Sequence, residues 1–153
     1  MGFDVKYIGD FFTPNDATID VTLSGYGYDV PDAYMVSYPL VEDLKEVKRQ
    51  IRCCDVVIAH KSMDTFAKAC YDLGIPFMPN IITFFLPDSI KFFEVEIPKI
   101  DYDTLTYTIT CALQVKETLK LLESGNAIVA PRALIVNLNE GDFVREIDLR
   151  KYS

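Results

Sequence analysis

His60, Lys61 and Ser62 follow one another in the chain, Asp64 stands two residues further on, and Asn80 follows a second apolar run. These residue types suit two kinds of chemistry. An imidazole can give or take a proton near neutral pH. A lysine, an asparagine and a hydroxyl beside unpaired backbone N–H groups can hold an anion. His60 and Asp64 are therefore the candidate acid–base residues, and Lys61, Ser62 and Asn80 the candidate anion ligands. The simpler reading makes Ser62 a helix cap, Lys61 a solvated charge and His60 a satisfied surface residue, and it is preferred. A Ser62–His60–Asp64 triad fits poorly, because residues two apart at a helix start rarely converge.

The elements around these residues must position them. Asp55-Val56-Val57-Ile58-Ala59 is short, apolar and rich in β-branched residues, as suits a central parallel strand buried on both faces. Residues 62–73 read as a helix. Ser62 or Asp64 would cap it, Met63, Phe66, Ala67 and Cys70 would form its buried stripe, and Gly74 would stand at C′. Residues 75–82 then read as a strand. Strand–helix–strand builds parallel sheets with a right-handed crossover. Ligands of open α/β sheets lie beyond the carboxyl ends of the strands, which is where His60, Lys61, Ser62 and Asn80 fall.

The remaining chain adds strands on one side and a long helix on the other. Residues 3–12 read as a strand, broken by Thr13-Pro14-Asn15-Asp16. Residues 17–23 place Ile19, Val21 and Leu23 on one face, and residues 33–38 form a further short strand. Over 41–52 Val41, Leu44, Val47 and Ile51 recur at helical spacing opposite Glu42, Lys45, Lys48 and Arg49. A crossover over 86–103 contains a short strand at 92–97. A helix over 104–123 directs Leu105, Ile109, Ala112, Leu113, Leu119 and Leu122 inward, with Asp103 as cap and Gly125-Asn126 as stop. Residues 133–138 and 143–149 read as an antiparallel hairpin. This order predicts one α/β domain over 1–153: a Rossmann-like open mixed sheet, mainly parallel, with a C-terminal antiparallel hairpin.

Composition narrows the function. Of 153 residues half are apolar, enough for a core without disulfide or metal. The formal net charge of −8 argues against nucleic acid and against an anionic membrane surface. The uncharged stretch over 73–87 carries Pro76, Pro79 and Pro87 and is shorter than the roughly 20 residues of a membrane helix. Met1-Gly2-Phe3-Asp4 lacks a signal-peptide pattern, and Lys6 breaks a myristoylation motif. A cytoplasmic protein is expected. Cys53, Cys54, Cys70 and Cys111 form no C-x-x-C pair, so no metal site is expected and reduced, mostly buried thiols are. Ten Phe and nine Tyr read mainly as core, with some rings left over for a partner surface.

Two strings resemble a known family. Cys54-Asp55-Val56-Val57-Ile58, followed after a helix by Leu73-Gly74-Ile75-Pro76, is similar to the D-V-V-I-D strand and L-G-I-P turn of E1-like activating enzymes of the ThiF, MoeB and HesA type. Ala112-Leu113-Gln114-Val115-Lys116-Glu117, running on to Leu119-Lys120-Leu121-Leu122, resembles that family's late A-L-Q-x-x-E-x-L-K-L-L helix, and a hairpin follows it in both. The resemblance spans residues 52–151 and leaves 1–51 divergent. It implies a Rossmann-like fold, ATP with Mg²⁺, and adenylation of a carboxylate on a partner protein.

The departures bear on that chemistry. The family approaches the ATP phosphates with a glycine-rich turn, and no G-x-G-x-x-G occurs here; Gly25-Tyr26-Gly27 is a fragment better read as a plain turn. Asp10, after Tyr7-Ile8-Gly9, is a remote candidate for the ribose. Ser62 occupies the place of the family's magnesium-binding acid, with Asp64 the nearest carboxylate, and the crossover holds no cysteine. ATP and Mg²⁺ are implied by the resemblance and disfavoured by the missing loop. Three expectations follow. The first is a truncated E1-like domain acting as a binding or partner subunit, as a homodimer. The second is a small-molecule or cofactor-biosynthesis enzyme using the strand-end pocket around His60 to Ser62. The third is an acidic, Tyr-rich interaction module.

Overall fold

The structure, a computed structural model, describes residues 43–60, 63–89, 91, 93–96, 100, 103–139 and 141–152, and the backbone of 6–9 and 34–37. The expected strand at 17–23, the Gly25-Tyr26-Gly27 turn, Asp10, Lys61 and Ser62 lie outside the described residues.

Strands β1 (Lys6–Gly9) and β2 (Tyr34–Ser37) pair in parallel over their whole length. Helix α1 (Leu44–Ile51) starts where the Asp43 carboxylate accepts the Glu46 N–H at 3.2 Å. Its Val47 and Ile51 are buried and Leu44 packs beside them, as its periodicity predicts. It lies against α2 (Met63–Leu73), where Lys48 meets Asp72 at 2.6 Å; both side chains are partly exposed, so the pair adds little stability.

The strand–helix–strand unit is present. Strand β3 (Val57–Ile58) runs parallel to β4 (Phe77–Met78), and α2 connects them. Helix α2 buries Phe66, Ala67, Ala69 and Cys70. It ends in a Schellman arrangement: Gly74 sits at φ 70, its N–H reaches Tyr71 O at 3.3 Å, and the Ile75 N–H reaches Cys70 O at 2.9 Å. Glycine is needed there because a Cβ is strained at positive φ.

Beyond β4 the chain departs from expectation. The predicted strand over 75–82 pairs with β3 only through Phe77 and Met78. Pro79 has no N–H to continue a ladder, and the chain bends at Asn80 and Ile81. It returns so that Phe85 bridges back to Phe77 in antiparallel sense, while Ile82 bridges to Leu134 and Phe84 to Val129. This returning stretch is deeply buried, from Ile81 to Phe85. The predicted strand at 92–97 is also absent among the described residues: Phe93 and Glu94 form a turn. The Phe93 ring instead plugs edge-on into Phe77 and Phe85, with centroids 5.6 Å from each.

Helix α3 (Thr104–Ser124) is the longest element. Asp103 caps it by accepting the Thr106 N–H at 2.8 Å, and Gly125, at φ 70, closes it by donating to Leu121 O at 3.1 Å. Its predicted inner face is largely overturned. Leu105 is 59% exposed and Leu122 42%, whereas Thr106, Thr110, Cys111, Gln114, Val115, Glu117 and Leu119 are buried. Ile109 and Leu113 are half-buried against Ile82, Ile128 and Val136. Cys111, Gln114, Val115 and Leu119 follow the spacing of one stripe, and Thr106, Thr110 and Glu117 widen it, while Leu105, Lys116 and Lys120 stay exposed on the other side.

Strands β5 (Arg132–Val136) and β6 (Val144–Asp148) form the predicted antiparallel hairpin, in register from Arg132 opposite Asp148 to Val136 opposite Val144. A 3₁₀ turn over Leu149–Tyr152 follows, and its Leu149 is buried. The protein is thus a mixed α/β structure. Its described strands form three two-stranded ladders, two parallel and one antiparallel, rather than one continuous Rossmann-like sheet. Single bridges through Ile82, Phe84 and Phe85 carry backbone pairing from β4 to β5.

The helix faces make a direct test. Leu119→Ala should lower the unfolding free energy by about 2–4 kcal/mol, as core truncations do. Leu105→Ala should change it by less than about 0.5 kcal/mol. Urea unfolding with an unchanged slope would measure both, and equal losses would restore the predicted face.

Candidate functional site

His60 follows β3, and Pro79 and Asn80 follow β4, so the carboxyl ends of the two parallel strands do lie together. What meets them is a residue that strand-end reasoning did not select. Gln114, at 0% exposure, reaches in from the third and fourth turns of α3. Its Nε2 donates to Pro79 O at 2.6 Å, and its Oε1 lies 2.9 Å from His60 Nε2.

These two contacts fix the imidazole. A carbonyl oxygen can only accept, so the Gln114 NH₂ must face Pro79. Its Oε1 then faces His60 and can itself only accept. His60 Nε2 must therefore carry a hydrogen, and in the neutral ring Nδ1 is the basic nitrogen. Tyr107, two turns before Gln114 on α3, lies beside the same ring with centroids 6.1 Å apart. His60 itself is half-buried.

Thr106, Thr110, Gln114 and Glu117 recur at spacings of three and four along α3, and all four are buried. Three of them have identified bonds. Asp103 caps the backbone at Thr106. The Glu117 carboxylate, 5% exposed as a residue, accepts the Ile128 N–H at 2.9 Å and pairs with Lys120 at 3.0 Å. It thereby ties the end of α3 to the segment that enters β5. Thr110 Oγ1 is the exception, a buried hydroxyl with no hydrogen-bond partner among the described residues.

The other sequence candidates are dispersed or outside the description. Asp64 is exposed in the first turn of α2, where a carboxylate complements the helix N-terminus. Asn80 is half-buried at the bend after β4. Lys61, Ser62 and Asp10 lie outside the described residues. Among the described residues no three His, Cys, Asp or Glu side chains gather as a metal set, and no helix is long and apolar enough to cross a membrane. Cys70 and Cys111 are buried, Cys54 half-buried and Cys53 exposed. Burial, with a smaller contribution from neighbouring Cys54, pushes the Cys70 thiol up to about 12.

No family model, curated protein or solved structure matches this chain. Function must be argued from the arrangement itself. Gln114 and Glu117 were legible only as letters of the A-L-Q-V-K-E string. The polar spacing Thr106, Thr110, Gln114, Glu117 was the signal that would have marked a buried face.

What the site can do follows from the amide. The place where a ligand would contact both strand ends is spanned by Gln114. A carboxamide does not titrate, so it relays no proton. His60 has one nitrogen committed to it, and its remaining acid–base capacity rests on Nδ1.

Gln114→Ala would leave Pro79 O and His60 Nε2–H without this partner, and should destabilise the fold by about 2–4 kcal/mol in urea unfolding. Nitrogen NMR should show His60 with hydrogen on Nε2 in Gln114 wild type; an Nδ1–H tautomer would contradict the arrangement. For Cys70, the unfolded thiol ionises before the folded one, so its contribution to stability is intact below the ordinary thiol value and is lost as pH rises toward about 12. Native alkylation read by mass spectrometry should label Cys53 and spare Cys70, and Cys70→Ala should flatten the alkaline fall in stability.

Proposed function

We propose that this chain is a binding subunit of E1-like type, a shortened mixed α/β domain that does not adenylate a substrate by itself. The observation that carries this reading is the parallel β3–α2–β4 unit, bearing the Asp55 to Pro76 string in a sequence that has no glycine-rich turn with which to approach a nucleotide. The Gln114 amide, bonded at both ends, ties α3 to the ends of β3 and β4.

The kinship half of the reading is supported by order and pairing. The parallel β3–α2–β4 unit carries the Asp55 to Pro76 string, and α3 followed by the β5–β6 hairpin carries the Ala112 to Leu122 string. Gln114 and Glu117, the two polar letters of that helix string, are its two buried anchors. ATP and Mg²⁺ belong to this reading only as a lost function. On it the protein is cytoplasmic and works as a homodimer or beside a protein partner. Exposed Leu105, Tyr71 and Phe143 offer apolar surface for such contacts. The reading as a small-molecule enzyme at His60 to Ser62 is less well supported, since the imidazole is engaged by an uncharged amide.

Thermal unfolding with ATP and Mg²⁺ tests the proposal. A ligand at 100 times its dissociation constant would stabilise the fold by about 2.7 kcal/mol. No stabilisation is expected, and a clear rise would restore the activating-enzyme reading. Size-exclusion chromatography with light scattering should give a dimer. A clean monomer at high concentration would count against the homodimer.

A further inference from the structure

We infer that Cys54 and Cys70 are a modification site: a low-molecular-weight disulfide oxidises them to an internal disulfide that ties the chain entering β3 to helix α2. Both residues lie at the end of the β3–α2–β4 unit opposite His60 and Gln114, so the pair is independent of the E1-like reading.

Backbone and side-chain bonds bring the two residues together. The Val57 N–H, at the start of β3, donates to Pro76 O at 3.1 Å, and the Ile75 N–H donates to Cys70 O at 2.9 Å. Cys54 stands three residues before Val57, and the strand entrance is thus fastened beside the last turns of α2. On its other flank, the Cys54 N–H donates to Ile51 O at 2.8 Å, which folds Cys54 back onto the end of α1. There Lys48 meets Asp72, two residues beyond Cys70. Cys54 therefore lies between two points of the chain that are each fixed to the end of α2. It packs against the apolar cluster that contains Cys70, Ile51, Val57 and Ile75. Burial, and after it the charge of an ionised Cys54, push the Cys70 thiol up to about 12.

The other cysteines are poorer partners. Consecutive Cα atoms are about 3.8 Å apart, nearer than the roughly 4.4–6.8 Å that a disulfide spans, so a Cys53–Cys54 bond would distort the chain. Cys111 is buried on α3, outside the cluster that holds Cys70.

Exposure sets the order of reaction. Cys54 is half-buried and within reach of a small disulfide RSSR, whereas Cys70 is 1% exposed. The Cys54 thiolate attacks one sulfur of RSSR, forming the mixed disulfide Cys54–S–S–R; the departing RS⁻ takes up a proton as RSH. Cys70 then gives up its proton and attacks the Cys54 sulfur, forming Cys54–S–S–Cys70 and releasing the second RSH. The two cysteines lose two electrons and two protons, and RSSR gains both. The second step is the slow one, because little of Cys70 is thiolate near neutral pH. The bond closes the chain from 54 to 70 into a loop holding β3 and most of α2. It secures the end of the unit that Gln114 does not reach.

The test equilibrates the full chain with reduced and oxidised glutathione, native and in urea, then blocks thiols with N-ethylmaleimide and digests with trypsin. Cleavage after Arg52, Lys61, Lys68 and Lys91 puts Cys54 and Cys70 on separate peptides. The expected product is 53–61 joined to 69–91, lighter by two hydrogens than the two free peptides. It should persist in Cys53→Ser and vanish in Cys54→Ser. The native fold should favour the bond at least about tenfold more than the urea-unfolded chain does. The bond then stabilises the fold by the same factor, about 1.4 kcal/mol, and raises the urea midpoint of the oxidised protein. An equal or weaker preference in the native protein overturns the proposal. So does native Cys53→Ser that carries glutathione on Cys54 with no joined peptide at equilibrium, or a joined peptide that survives Cys54→Ser. If Cys54→Ser does not fold, the native and urea equilibria of Cys53→Ser decide alone.

Discussion

The fold turns on one carboxamide. Gln114 is buried completely, and its two ends are complementary to two groups that have nothing else in common: the carbonyl of Pro79 after β4 and Nε2 of His60 after β3. Strands of only two residues make few ladder bonds, so β3 and β4 need help to stay level. The amide supplies it by fixing both strand ends to the same point of α3. A buried polar group is costly unless bonded, and worth keeping when it is. Replacing Gln114 by an apolar residue would strand two partners at once, whereas a surface glutamine would strand none.

The same logic extends along α3. Glu117 does for the helix end what Gln114 does for its middle, holding the Ile128 N–H as the chain turns toward β5. Between these anchors Val115 is buried with them and Lys116 is exposed, so the helix keeps one wet side. Thr110 marks the limit of this economy. Its hydroxyl is buried with no hydrogen-bond partner among the described residues, one turn from Gln114 on the same face.

This arrangement explains which parts of the sequence could be read. Local chemistry was legible. Asp103 caps its helix, Gly74 and Gly125 take the positive φ that ends theirs, and the hairpin falls where its alternation places it, whereas the Asp43 cap starts its helix later than periodicity alone suggested. The parallel β3–α2–β4 unit was legible because hydrophobic runs and caps alternate there. Three features depended on what surrounds each segment and were not legible. Pro79 ended a strand that β-propensity would have carried on to Ile82. Phe93 served as a plug rather than a ladder residue. Leu105 and Leu122 are exposed because the buried side of α3 carries polar Thr106, Thr110, Gln114 and Glu117, which periodicity of apolar residues passes over. At the candidate site, the backbone rule placed His60 and Asn80 correctly at strand ends. It said nothing of the helix 54 residues away from His60 that closes over them.

The ends of β3 and β4 differ from the outer side of β6. At the ends of β3 and β4 the polar groups are bonded within the chain, so a ligand there would have to displace Gln114 and leave its amide or its partners unpaired. At β6 the backbone groups of Val144, Glu146 and Asp148 face away from β5. The charges differ too. Around His60 the bonded neighbour is neutral, while at the hairpin each carboxylate is held by its own arginine and Lys151 stands beside them. Bonds within the chain thus close the ends of β3 and β4, whereas among the described residues β6 is paired along one side. That asymmetry is set by two substitutable features, an amide at 114 and the outward N–H groups of β6, and either can be removed without touching the other.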